Sequence, residues 1–177
     1  LSYSNFDIEI LKAETITEES EVGGAWGSHG VSIDNGTCAG KEVQITICVK
    51  NTGDCRGKEV VQVYVQAPQG KLGKSKRHLL VFEKSRLLQP GETQRLRLAW
   101  KMEDMASYDD LGKVKKSAYV LEQGDYFFYL GNSVENVEKL DHTYSQTQDQ
   151  VVLQCQPKLV PASLKERMLA DGTMEPL

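Results

Sequence analysis

The chain has 177 residues, enough for one domain with a sizeable core or a smaller domain plus a tail, and the second arrangement is expected here. Apolar residues make up 40% and charged residues 26%, and the net charge of −4 gives no reason to expect a nucleic acid or a membrane surface as partner. No apolar run approaches the roughly 20 residues that cross a bilayer as a helix, and the stretch from Leu1 to Phe6 has neither the basic start nor the apolar core of a signal peptide.

In chain order, Phe6, Ile8 and Ile10 alternate with Asp7 and Glu9, the period of two expected of a half-buried strand. From Thr15 to Gly40 the pattern dissolves into a glycine-dense run around Gly23-Gly24-Ala25-Trp26-Gly27, which reads as a long mobile loop. Val43, Ile45, Ile47 and Val49 then alternate with Gln44, Thr46, Cys48 and Lys50, and after Asn51-Thr52-Gly53-Asp54 comes a run, Val60 to Val65, that is apolar on both sides. These two strands read as a hairpin-like pair joined by a turn. The stretch from Gln66 to His78 is glycine-rich and basic, an exposed loop.

Leu79 to Leu88 reads as a strand, Gln89-Pro90-Gly91-Glu92 as a turn, and Leu96, Leu98 and Trp100 as the inward row of the next strand, opposite Arg95 and Arg97. Glu103 to Asp109 reads as a short helical turn. Ala118 to Leu121 and Tyr126 to Gly131, with Gly124 between them, read as a final hairpin, and Val151-Val152-Leu153 as an added edge strand. Ser163 and Glu166 stand at capping-box spacing with Gly172 beyond, so Ser163 to Ala170 is expected to be a short helix. About seven strands with turns between them point to an antiparallel sandwich rather than to alternating strand and helix.

Cys38, Cys48, Cys55 and Cys155 have no paired short spacing of the zinc or dithiol kind and read as free thiols; a Cys48 to Cys55 bond across one hairpin is geometrically conceivable without being required. Their usage and the absence of a signal favour the cytoplasm over secretion, and the first residue, not a methionine, suggests an excerpt of a longer polypeptide. His29, His78 and His142 are scattered without ligand spacing, so no metal and no cofactor is expected. Glu103 with Asp104 and Asp109 with Asp110 read as solvated turns rather than an acid and a base. Asn35-Gly36-Thr37 matches a glycosylation acceptor but reads as a plain turn.

Several stretches together carry a resemblance: Leu1 to Phe6, Val49 to Asp54, Gly57 to Val65, Leu80 to Lys84, Leu88-Gln89-Pro90-Gly91-Glu92, and Glu122 to Tyr126 followed by Leu130 to Ser133. In this order and spacing the chain resembles the fibronectin type III-like domain of glycoside hydrolase family 3, the β-glucosidase family. The resemblance covers residues 1 to about 140; the long Thr15 to Gly40 loop, His78 and Leu79 depart from it. It implies an immunoglobulin-like antiparallel β-sandwich over residues 1–142, in which the strands at Val43 to Val49 and Val60 to Val65 cross between sheets instead of forming a tight hairpin, with residues 15–40 as a loop insertion, and residues 143–177 as an edge strand and a linker or helix leading to another domain.

It also implies no catalytic residue in this chain. Retaining glycosidases need two carboxyl groups about 5 to 5.5 Å apart across the scissile bond, and in family 3 these come from a barrel and an α/β domain. Those two domains of the same chain are the implied partners, and the implied role is a non-catalytic brace. Lys71, Lys74, Lys76 and Arg77, with Trp26, are the candidate contacts to neighbouring domains or to the active-site rim; for the basic loop, a solvated loop is the competing reading. The alternative function is a carbohydrate-binding module with weak sugar contact, for which Trp26 and Tyr108 are the loop aromatics, since Tyr64, Phe82, Trp100, Tyr126 and Phe128 mostly fall on rows that a core would claim.

Overall fold

The computed structural model describes residues 4–17, 20–25, 41–156 and 163–177. Alternation writes most of its strands. β1 (Phe6–Thr17), β2 (Ser20–Ala25), β3 (Lys41–Asn51) and β6 (Thr93–Lys101) make an antiparallel sheet in the order β2-β1-β3-β6. β4 (Val60–Gln66), β5 (His78–Lys84), β9 (Gly124–Gly131) and β10 (Val137–Gln146) make a second, in the order β10-β9-β4-β5. Val43, Ile45, Ile47 and Val49 of the first sheet and Val61, Val63 and Val65 of the second are fully buried in one core, so the sheets face each other as a sandwich. Trp100 and Phe128 meet across the sheets with ring centroids 5.5 Å apart.

β3 and β4 therefore belong to different sheets: the chain crosses between layers after Asn51 and does not turn back as a hairpin. The crossing is tied by one side chain. Asn51, fully buried, donates from Nδ2 to the carbonyls of Cys55 (2.8 Å) and Leu88 (3.0 Å), while its Oδ1 accepts the Gly53 amide at 3.0 Å. Thr52 and Gly53 both donate to the carbonyl of Asn5, and a Cβ on Gly53 would stand 2.7 Å from the Asn5 nitrogen. The Gln89 to Glu92 turn closes as expected, with the Glu92 amide on the Gln89 carbonyl and Gly91 at φ +79°.

Four expectations are corrected. The supposed hairpin around Gly124 is not one. β8 (Ala118–Leu121) pairs with β7 (Ser107–Asp109) and β11 (Gln150–Gln154) in a separate three-stranded sheet, β11-β8-β7, while β9 pairs with β4 and β10. Gly124, at φ +133°, marks a change of sheet; a Cβ there would stand 2.8 Å from Pro68. The expected loop from Thr15 onward instead begins with the end of β1 and with β2, which pair with each other; residues 18–19 and 26–40 lie outside the described residues.

The expected helix at Ser163 to Ala170 is also absent. Glu166–Met168 is β12, paired with β13 (Met174–Pro176), and Gly172, read as a helix stop, is a hairpin turn residue at φ +87°. An eight-residue helix gains little by itself, and here cross-strand ion pairs described below hold the extended form. Finally, thirteen strands, not about seven, stand among the described residues, with one 3-10 turn at Met102–Met105. Among those residues no helix is long and apolar enough to cross a membrane.

Candidate functional site

The chemistry-bearing side chains collect at the end of the sandwich where β4 leaves its sheet. The basic loop after β4 is held down by one carboxylate. Glu122, 2% exposed, accepts the amides of Lys71 (2.5 Å) and Leu72 (3.2 Å) and pairs with the Lys74 ammonium at 2.5 Å. A Cβ on Gly70 would stand 2.7 Å from that carboxylate, so glycine lets the loop pass close to it. Leu72 is driven into a small second core with Ala118 and Val120.

Each candidate cation of the loop has a defined place. Lys71 pairs with Asp149 at 2.6 Å, and Asp149 also accepts the Gln123 amide at 2.9 Å; that amide, then the Lys71 partner, holds the Asp149 carboxyl below the ordinary aspartate value. Lys74 is buried against Glu122. Arg77 lays its guanidinium 3.9 Å from the centroid of the Tyr129 ring and donates to the Val134 carbonyl at 3.4 Å. Lys76 is exposed. The structure thus brings Lys71 and Lys74 together through Glu122 and Asp149, separates Arg77 onto the outer face of the second sheet, and leaves Trp26 outside the described residues.

Beside this loop lies a carboxylate that the sequence reading took for a solvated turn. Asp109 is completely buried at the end of β7. Its Oδ1 accepts the amides of Gly112 (2.7 Å) and Lys113 (3.0 Å), and its Oδ2 those of Val114 and Lys115 (2.7 Å each). Burial alone would raise its carboxyl, but four amide donors outweigh that and hold it below the ordinary value. This carboxylate folds the loop after it, so it is no free acid or base. No hydropathy pattern distinguishes such an aspartate; only the run Asp109-Asp110-Leu111-Gly112 hints at a tight turn.

The β12–β13 hairpin docks onto the same end. Arg167 donates to both oxygens of Asp110 at 2.9 Å and to Glu175 Oε2 from Nε (2.9 Å) and Nη2 (2.7 Å), and Glu175 also takes Lys113. Those two cations, Lys113 first, keep the Glu175 carboxyl below its usual value. Gly73 passes so close that a Cβ would lie 2.6 Å from Arg167 Nε. Between loop and hairpin is a cleft of about 250 Å³ lined by Lys71, Gly73, Lys113, Asp171 and Glu175 among others.

His29 lies outside the described residues, and His78 and His142 stand on different strands. Burial lowers His78, aided by the Lys74 charge and opposed by a hydrogen bond to the Asp104 backbone. His142 stacks on Phe128 at 5.8 Å, and burial lowers it to about 4. Among the described residues no three His, Cys, Asp or Glu side chains are placed to hold a metal ion, and Cys48, Cys55 and Cys155 are unbridged.

Aromatic placement corrects two further expectations. Tyr108 is on β7, edge-on to Tyr119 at 5.3 Å and 60°, not on a loop. Phe82 is 60% exposed on the outer face of β5, opposite Gln62, instead of in the core. Tyr129 and Phe127 share that outer face, but Arg77 and Lys139 lie over their rings at 3.9 and 3.8 Å. A sugar ring would have to displace a cation from each to stack there.

Two facing antiparallel sheets, joined by a crossing tied at the Asn51 turn, make a β-sandwich. Residues 59–134 match the fibronectin type III-like domain family. Over its full length the chain is 49% identical to β-glucosidase A of Butyrivibrio fibrisolvens, covering 20% of that protein. A β-glucosidase of Ruminococcus albus is 41% identical over 73% of the chain and 14% of its own length. Among solved structures, a β-glucosidase of Paenibacillus barengoltzii matches the whole chain and 18% of its own, at 37% identity and a TM-score of 0.72. β-Glucosidase 3B of Thermotoga neapolitana, in complex with α-D-glucose, matches 86% of the chain and 17% of its own, at 28% and 0.61. Residues 59–134 are thus similar to fibronectin type III-like domains, the chain as a whole is similar to segments of β-glucosidases, and it spans about a fifth or less of the curated relatives it matches.

Proposed function

We propose that the chain is a non-catalytic brace within a β-glucosidase that hydrolyses O-glycosyl bonds, holding a barrel and an α/β domain in register. The observation that carries this reading is that the acids at its polar end are consumed by structure. Glu122 and Asp109 hold backbone amides, Asp149 an amide and Lys71, and Asp110 and Glu175 the Arg167 fork. A carboxylate with its lone pairs so occupied is poorly placed to attack or protonate a glycoside. The same bonds make the end stiff, and stiffness is what a brace between two halves of an active site must supply.

Within this reading the seven-strand sandwich of the family corresponds to the strands around the main core, and residues 143–177 extend it towards the next domain. Lys76, exposed beside the fixed Lys74 and Arg77, is the loop cation free to meet a neighbouring domain. The isolated chain is expected to show no turnover of an aryl β-glucoside, while the longer polypeptide hydrolyses it; turnover that survives repurification of the isolated chain overturns the reading. Binding of cello-oligosaccharides by the isolated chain would favour a sugar-binding module instead.

A further inference from the structure

Two sheet edges meet a groove on the side of the sandwich away from β5 and β6. β2 pairs with β1 only from Glu14 to Thr17, so along Phe6 to Ile10 the edge turned away from β3 has no strand beside it among the described residues. β10 is likewise the outermost strand of its own sheet. Between these edges runs a groove of about 570 Å³. Its floor is apolar, built on the half-buried Phe6, Ile8 and Leu140. Its rim is acidic: Asp7, Glu9, Glu138 and Asp141 all line it and all are exposed. Lys139, the cation among its lining residues, is drawn off to the Phe127 ring at 3.8 Å.

We propose that this groove accepts an extended segment, with apolar and basic side chains in alternation, that adds as a strand along Phe6 to Ile10, the edge that no described strand covers. An unpaired strand edge offers amides and carbonyls to exactly such an addition, and the alternation of a strand then sends one row of side chains onto the apolar floor and the other to the acidic rim. A second copy of this chain is a poor occupant, because pairing β1 with itself sets Asp7 and Glu9 against like charges. The segment comes from the longer polypeptide, a source that rests on reading the chain as one domain of a hydrolase several times its length.

The test titrates the 177-residue chain with a heptapeptide of alternating lysine and valine, and with its glutamate counterpart, followed by amide NMR shifts. The lysine peptide is expected to move the amides of Phe6 to Ile10 and of Leu140, and the glutamate peptide to leave them in place. The exposed pair Glu9→Lys and Glu138→Lys should weaken the lysine peptide about tenfold and admit the glutamate one, two exposed charge contacts being worth about that factor together. No shift at this edge, or equal binding of both peptides, overturns the proposal. In the longer polypeptide, the same amides should exchange hydrogen at least about tenfold more slowly than in the isolated chain, as a paired edge does; equal rates overturn the assigned source. Failure of the longer polypeptide to cleave a β-glucoside strikes the hydrolase reading and not the groove.

Discussion

The interior of the sandwich and its polar end are held by different forces. Between the sheets, Val43 to Val49, Val61 to Val65, Trp100, Tyr126 and Phe128 exclude water, a contribution that is non-directional and not screened by ions as a charge pair is. At the end where the loop after β4, the Asp109 loop and the β12–β13 hairpin converge, a few carboxylates organise the chain through directed bonds to amides and cations. The interior tolerates a change of shape if volume is kept, whereas the polar end depends on single atoms. The chain thus folds on its apolar rows and fixes the geometry of its polar end by directed bonds.

Substitutions can separate the two regions, beginning with the largest effect. Phe128→Ala, which removes the ring touching Trp100 and His142, should cost about 3 to 5 kcal/mol in denaturant unfolding. Asp109→Ala should cost about 3 kcal/mol by stranding several amides at once, and Asp109→Asn should recover only part because it offers one acceptor oxygen. If Asp109→Ala proves neutral, the polar end is not the organised unit described here.

A pH titration of stability distinguishes the regions without mutation. His142 has a folded value of about 4 against an ordinary 6.5, so the unfolded chain binds the extra proton between these values; stability should rise from pH 4 to 6.5 and level off above, and His142→Phe should reduce that rise, leaving the smaller share of the lowered His78. The carboxylates act lower. Asp109, Asp149 and Glu175 are depressed below 3.8, 3.8 and 4.5, so their contribution is complete above those ordinary values and disappears as pH falls through the lower folded ones. The smallest effect is expected for Arg167→Ala, which should leave the global midpoint unchanged and speed hydrogen exchange at Leu169 and Leu177, the amides closing the hairpin. Exchange unchanged there would mean that the ion pairs do not hold the hairpin.

What the sequence determined by itself was the pattern of faces and the punctuation. Val43 to Val49 and Leu96 to Trp100 alternate, and alternation commits one row to a core whatever sheet the strand joins. Gln89 to Glu92 closes locally, so its turn was legible too. Tertiary structure decided which strands share a sheet. β3 and β4 flank a short polar joint, as do β8 and β9, and both patterns read as hairpins, but pairing partners lie far along the chain and carry no local signature. It also decided the fate of polar groups. Asp109 and Glu122 look like surface acids in sequence, and only the convergence of distant amides and Lys74 makes their burial favourable. The tail follows the same rule: Ser163, Glu166 and Gly172 signal a helix locally, and Arg167, reaching Asp110 and Glu175 at once, makes it a hairpin.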